Sequence, residues 1–156
     1  MHDIESILRG EGLNEEVGGS YGNITHALYH GSPLDLKEIT PMYSKLVGKK
    51  VIYAGPKWLA VSFTARWRDT DILQGTVNNI PYMTEMYKGA FDVFDKGGWI
   101  YLINDKTKFK YVEELTKFEV ISTVPVHYVS KEFIPSPLEL LEELGVVLNK
   151  YKKERS

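Results

Sequence analysis

Apolar positions along this chain come in short runs broken by glycine and proline, and helical spacing is confined to a few stretches. Residues 26–30 and 51–54 read as strands, each a brief apolar or aromatic run ending at small residues. Between them Pro33, Pro41 and Gly48 mark a loop with room for a short turn over 35–39. Trp58 to Trp67 reads as a helix. Trp58, Val61, Ser62 and Ala65 share one helical face, Leu59, Phe63 and Arg66 another, and Pro56 stands just ahead. Residues 69–97 carry the weakest pattern: Gly75, Pro81, Gly89 and Gly97-Gly98 interrupt it, and Tyr82–Tyr87 fits one helical turn or two.

The C-terminal third is more regular. Trp99–Ile103 predicts a strand, and Phe118–Ser122 and Val124–Val129 predict two more, close enough to be hairpin neighbours. Pro125 puts the second at a strand start or a sheet edge. Ser136-Pro137-Leu138-Glu139 has the form of a helix start, with Ser at the N-cap, Pro at N1 and Glu at N3. Leu138, Leu141 and Leu144 then line one face, and Gly145 can end the helix. At the other end, residues 2–9 fit a short helix with Ile4, Ile7 and Leu8 on one side, followed by a glycine-rich lead-in to residue 23. The expectation is one α+β domain over 1–156, with its core at 24–148 and a polar tail at 149–156.

Composition narrows the classes. The 156 residues are 43% hydrophobic and 26% charged, enough for one ordinary core. A net charge of -2 speaks against a broad electrostatic footprint for nucleic acid, while leaving room for a local basic patch. The absence of cysteine removes disulfides, thiolate nucleophiles and thiolate metal sites. Met1-His2-Asp3-Ile4-Glu5 lacks the basic, apolar start of a signal peptide, and no apolar run approaches the roughly 20 residues that span a bilayer. These features predict a cytoplasmic protein with no membrane partner.

The chemistry concentrates at three strand ends. In Ala27-Leu28-Tyr29-His30-Gly31-Ser32-Pro33 an imidazole closes an apolar run, and the glycine after it lets a ligand approach the backbone. The same glycine also suits a plain turn opened by Ser32-Pro33. Tyr53, in Val51-Ile52-Tyr53-Ala54-Gly55, fits either a strand core or a ligand wall. Glu119 alternates with Phe118 and Val120, so it is either a solvated edge residue or a buried carboxylate that needs partners. The four histidines, His2, His26, His30 and His127, form no pair at metal-ligand spacing, so no metal is expected. Neither a Gly-x-Ser-x-Gly elbow nor a phosphate-binding glycine loop is present. Lys57, Arg66 and Arg68 can hold a phosphate or form a solvated face.

Taken in order, these runs resemble the ADP-ribosyltransferase fold in its poly(ADP-ribose)-polymerase-like, His-Tyr-Glu branch, over about residues 26–129. The first strand of that family carries His-Gly-Ser/Thr, matched by His30-Gly31-Ser32. The second carries an aromatic and alanine, matched by Tyr53-Ala54, followed by a helix with a small residue and an aromatic, here Ala60 and Phe63. The third strand opens with glutamate, matched by Glu119. This helix departs from the usual Ser-x-x-Tyr, and residues 69–97 have no counterpart. The compact chain looks closer to bacterial or phage members.

The resemblance implies two small antiparallel sheets forming a split β core flanked by short helices, with NAD bound as substrate where the sheets part. It implies that His30 bonds a hydroxyl of the adenine-side ribose, with Ser32 nearby, and that the Gly31 backbone holds the nicotinamide carboxamide. Tyr53 and Phe63 would flank the nicotinamide ring beside Ala54, and Glu119 would bond the 2′-hydroxyl of its ribose. His30, Tyr53 and Glu119 are thus the expected catalytic set. The expected activity is NAD-dependent ADP-ribosyl transfer to a protein, a nucleic acid or water. The alternatives are action on another N-glycosidic nucleotide or nucleic-acid substrate, and a non-catalytic nucleotide- or partner-binding module.

Overall fold

A computed structural model describes residues 24, 26–68, 70–113 and 115–152. The helix expected at 2–9, the lead-in to residue 23 and the last four residues of the tail lie outside them. The chain runs β1 (Tyr29–Ser32), β2 (Met42–Ser44), β3 (Lys49–Ala54), α1 (Lys57–Ser62), β4 (Ile72–Val77), β5 (Ile80–Glu85), α2 (Ala90–Phe94) and β6 (Gly98–Ile103). A 3-10 turn at Lys106–Lys108, β7 (Val120–Ser122), β8 (Tyr128–Ile134), α3 (Pro137–Glu143) and β9 (Val147–Asn149) complete it. The class is α+β, as expected, but there are three small sheets rather than two: β1-β6-β8, β2-β3-β7 and β4-β5-β9. In the third, β9 runs parallel to β5.

The backbones of β1 and β3 are joined at one bridge. Tyr29 N–H donates to the Gly55 carbonyl at 2.8 Å, and Gly55 N–H returns a bond to the Tyr29 carbonyl at 3.0 Å. Either side of this bridge β1 and β3 follow different partners, β6 and β7. Helix α1 packs over the junction. A Cβ on Gly31 would stand 1.8 Å from the Ala60 carbonyl oxygen, and one on Gly98 would stand 2.3 Å from that of Thr64. Glycine at these positions of the paired strands β1 and β6 is what lets the backbone of α1 and of the residues just after it lie directly on the sheet.

Two large apolar clusters fill most of the interior, and Leu59 with Phe118 forms a third, small one. One of the large clusters gathers Val61, Ile72, Met83, Phe94, Ile100 and Leu141 from the helices, the third sheet and β6 of the first. The other gathers Leu28, Ile39, Ile52, Tyr101, Val120 and Val126. The Tyr101 hydroxyl, inside the second, donates to the Leu34 carbonyl (2.6 Å) and accepts from Leu36 N–H (2.7 Å), which fastens the loop after β1.

Four sequence expectations are corrected. Helix α1 stops at Ser62 instead of running to Trp67, because side chains take its last carbonyls. The Ser62 hydroxyl donates to Leu59 O (2.6 Å), the Thr64 hydroxyl to Val61 O (2.7 Å) and the Trp67 indole to Ser62 O (2.7 Å). Residues 72–85 form a hairpin, not helical turns. Asn78 and Asn79, at φ 52° and 68°, make a turn with both central residues left-handed, a conformation asparagine tolerates. Gly75 leaves its face to the Tyr82 ring, and Pro81 precedes the Tyr82–Thr84 segment that pairs with β9, so neither breaks the ladder. The segments 118–122 and 124–129 are not hairpin neighbours: β7 pairs with β3, and the later strand moves to 128–134 and pairs with β6. The first strand likewise begins at Tyr29 rather than at residue 26.

The C-terminal helix starts as predicted, with the Ser136 hydroxyl accepting from Glu139 N–H, Pro137 at N1 and Gly145 at φ 93° beyond its end. Of its expected face Leu141 is fully buried, whereas Leu144 lies exposed at the C-cap. The tail is less free than its polarity suggests. Asn149 closes β9, and Tyr151 N–H donates to Glu85 Oε1 at 2.9 Å.

Candidate functional site

The cleft grows out of the split between β1 and β3. Tyr53 stands opposite Ile121 of β7, but both backbone groups of Ile121 bond Lys110 instead. The Tyr53 carbonyl therefore faces the gap, and there it meets His30: Nδ1 lies 2.7 Å from the Tyr53 oxygen. A carbonyl only accepts, so Nδ1 carries the proton. Burial holds the imidazole pKa below the ordinary histidine range, with the bond to Tyr53 opposing that in part. Neutral His30 then keeps a lone pair on Nε2, suited to accept a hydrogen bond from a ligand hydroxyl.

Tyr53 is half-buried on β3, and its phenol bonds the buried Ser44 Oγ of β2. Ser44 Oγ also accepts from Val47 N–H at 3.2 Å, and Gly48 N–H donates to the Ser44 carbonyl at 2.8 Å. This closes the turn that carries Leu46 to the cleft. Opposite, Phe63 follows the end of α1 and stacks on Trp67, with ring centroids 5.9 Å apart and planes 3° apart.

Glu119 leads into β7 rather than lying within it. A tight turn holds it: Glu119 N–H donates to the Thr116 carbonyl (3.2 Å), and the Thr116 hydroxyl donates to Glu119 Oε1 (3.2 Å). Burial raises the carboxyl pKa, and the bonds from Thr116 only partly offset this. The sequence offered two readings of Glu119, and the described geometry is a half-buried, poorly solvated carboxylate.

One cleft of about 390 Å³ is lined by His30, Gly31, Tyr53, Ala54, Phe63 and Glu119, together with residues the sequence reading missed, among them Leu46, Leu59 and Leu115. Ser32 is not on this cleft. It is buried, its Oγ accepts from Leu34 N–H at 3.0 Å, and it faces an adjoining depression of about 580 Å³ that shares His30, Gly31, Tyr53 and Phe63 and also includes Arg66. Ser44 and Thr116, the side chains that fix Tyr53 and Glu119, carry no sequence signal. Each is a lone hydroxyl residue whose role depends on a partner several residues away.

The arrangement provides flat apolar walls for a ring, a hydrogen-bond acceptor for a sugar hydroxyl, and a weakly solvated carboxylate across the space. Among the described residues no group of three or more His, Asp or Glu side chains is placed to hold a metal ion, and no helix is long and apolar enough to cross a membrane. Comparison with protein-family models, curated proteins and solved structures found no match to this chain.

Proposed function

We propose that the cleft binds NAD and breaks the bond between ribose C1′ and the nicotinamide nitrogen, passing ADP-ribose to an acceptor or to water. The observation that carries this reading is the convergence of His30, Tyr53, Phe63 and Glu119, distant in sequence, on one cleft of about 390 Å³. The nicotinamide ring would lie against Tyr53 and Phe63, whose faces bind flat rings through area and dispersion. His30 Nε2 would accept from a ribose hydroxyl. The adjoining depression, with Ser32 and Arg66 on its walls, has room for the adenosine half.

The chemistry follows from the carboxylate. As the C–N bond breaks, its electron pair stays on nicotinamide nitrogen and positive charge develops on the ribose. Ionised Glu119 stabilises that charge where it forms, more strongly because few waters screen it. It can then take the proton of the incoming nucleophile.

Nicotinamide release from NAD by the wild type and by Glu119→Gln tests the proposal. The variant should lose on the order of 10²–10³ in rate. Its melting temperature at pH 7 should match or exceed the wild type, because the native fold resists ionising this group. Near-wild-type turnover in a folded variant would remove Glu119 from the mechanism. Tight NAD binding without release would favour a silent binding module.

A further inference from the structure

A second cavity, of about 290 Å³, shares Glu119 and Leu59 with the first and is otherwise built from Trp58, the β4 residues Gln74–Thr76 and the turn at Thr116–Phe118. The geometry points to this cavity as the acceptor pocket of the proposed transfer, shaped for a planar uncharged heterocycle with a hydrogen-bonding edge, a nucleobase. The inference rests on the NAD-cleaving reading of the larger cleft.

Position comes first. A nucleophile attacks C1′ from the side away from the departing nicotinamide, so the acceptor needs a second space that reaches the same carboxylate. The cavity that shares Glu119 and Leu59 with the first is such a space. The lining then selects among acceptors. Trp58 and Phe118 meet edge to face, with centroids 5.5 Å apart, and give an aromatic corner against which a flat ring can rest. Gln74 Nε2 is buried without a hydrogen-bond partner. A buried amide donor is costly to leave unpaired, and turning the Gln74 carboxamide toward the cavity lets a base edge presenting a carbonyl beside an N–H satisfy it, in the manner that glutamine reads bases. The hydroxyls of Thr76 and Thr116 add further polar contacts. Among the described residues that line the cavity Glu119 is the one carboxylate, and it is committed to the ribose. The described lining therefore offers a guanidinium or ammonium acceptor no second carboxylate.

The transfer balances without any further reactant. The base nitrogen forms a bond to C1′, nicotinamide leaves with the electron pair of the broken C–N bond, and the N–H proton passes through Glu119 to solvent.

The test supplies the full chain with NAD and each common nucleoside in turn, or with arginine, and quantifies nicotinamide and ADP-ribosylated product by mass spectrometry. The wild type should modify at least one nucleoside and not arginine. Gln74→Leu should lower the ratio of nucleoside product to nicotinamide about tenfold, since a pocket built to pair a polar edge discriminates by that pairing. Gln74→Glu, of nearly equal size, provides a second variant and should lower the same ratio while raising transfer to arginine. Nicotinamide release with product on arginine alone or in water alone would overturn the acceptor assignment and leave NAD cleavage standing. So would a nucleoside ratio unchanged in either folded variant. No nicotinamide release with any acceptor would remove the NAD reading, and this inference with it.

Discussion

The junction of β1 with β3 and the hairpin of β4 with β5 solve the same problem in opposite ways. The hairpin is a full ladder of six residue pairs from Ile72↔Glu85 to Val77↔Ile80, closed by its turn. The junction is a single bridge at Tyr29 and Gly55, beyond which side chains take over what a ladder would have done. His30 satisfies the carbonyl of Tyr53, and Ser44 holds the phenol of the same residue. The residues offered for chemistry at the junction are therefore also the ones that keep the split from being a defect. At the hairpin the backbone ladder joins the strands, and side chains turn away from it, Gln74 and Thr76 to a neighbouring cavity and Glu85 to the N–H groups of Phe91 and Tyr151.

The difference predicts how each region tolerates change. Gly31→Ala forces a Cβ to within 1.8 Å of a backbone oxygen in α1, and α1 cannot retreat without opening the cleft. Denaturant unfolding should show a loss of about 3 kcal/mol or more, or no soluble protein. The matching change in the hairpin, Gly75→Ala, meets the Tyr82 ring first, 2.7 Å from its hydroxyl, and a side chain can turn aside. It should cost under about 1 kcal/mol. Equal costs would erase the contrast between the regions.

His30→Ala comes next. It strands the Tyr53 carbonyl in the split, with an expected cost of about 1–3 kcal/mol in unfolding free energy. It should also weaken NAD binding in calorimetry. A loss of binding with no loss of stability would mean that the bond to Tyr53 carries nothing. A smaller effect should appear in a double-mutant cycle of Ser44→Ala and Tyr53→Phe. The two hydroxyls act as one unit, so the cycle should return a coupling of about 0.5–1.5 kcal/mol in stability, with the Km for NAD raised in each single variant.

The smallest effect is the dependence on pH. Because native His30 resists protonation while the unfolded chain accepts a proton near about pH 6.5, its share of stability is present above that pH and lost as pH falls below it. His26, held down by burial and by the Lys106 ammonium, acts in the same direction. Melting temperature followed from pH 7.5 to 5.5 should fall, and fall less in His30→Ala. Glu119 has the opposite sign, since its raised native pKa removes stability as pH climbs out of the ordinary carboxylate range. Turnover should nevertheless rise over that interval as the carboxyl ionises.

What the sequence made legible follows the same division. His30, Tyr53 and Glu119 stood out because each is a polar or aromatic group at the end of an apolar run, a placement that backbone periodicity alone does not explain. Their meeting in one cleft depends on β1 pairing with β6 and β3 with β7, across 65 residues or more, and local pattern carries no such information. Residues 69–97 looked shapeless because Gly75 and Pro81 interrupt the alternation, yet the asparagine pair at 78–79 is itself a hairpin signal. The reach of α1 was overread because apolar spacing continues past Ser62. What ends the helix is the set of hydroxyl and indole bonds to its last carbonyls.

Tyr101 gives the cleft a mechanical asymmetry. With its phenol both donating to Leu34 and accepting from Leu36, the chain just after His30-Gly31-Ser32 is pinned from beneath by a fully buried ring. The facing turn, which carries Leu46, is closed by the β2–β3 pairing at its base and by the side-chain and backbone acceptors of Ser44. The two sides of the cleft are thus anchored unequally. Under the proposed function, changes in the 44–48 turn should alter how fast NAD comes and goes more than which ligands fit.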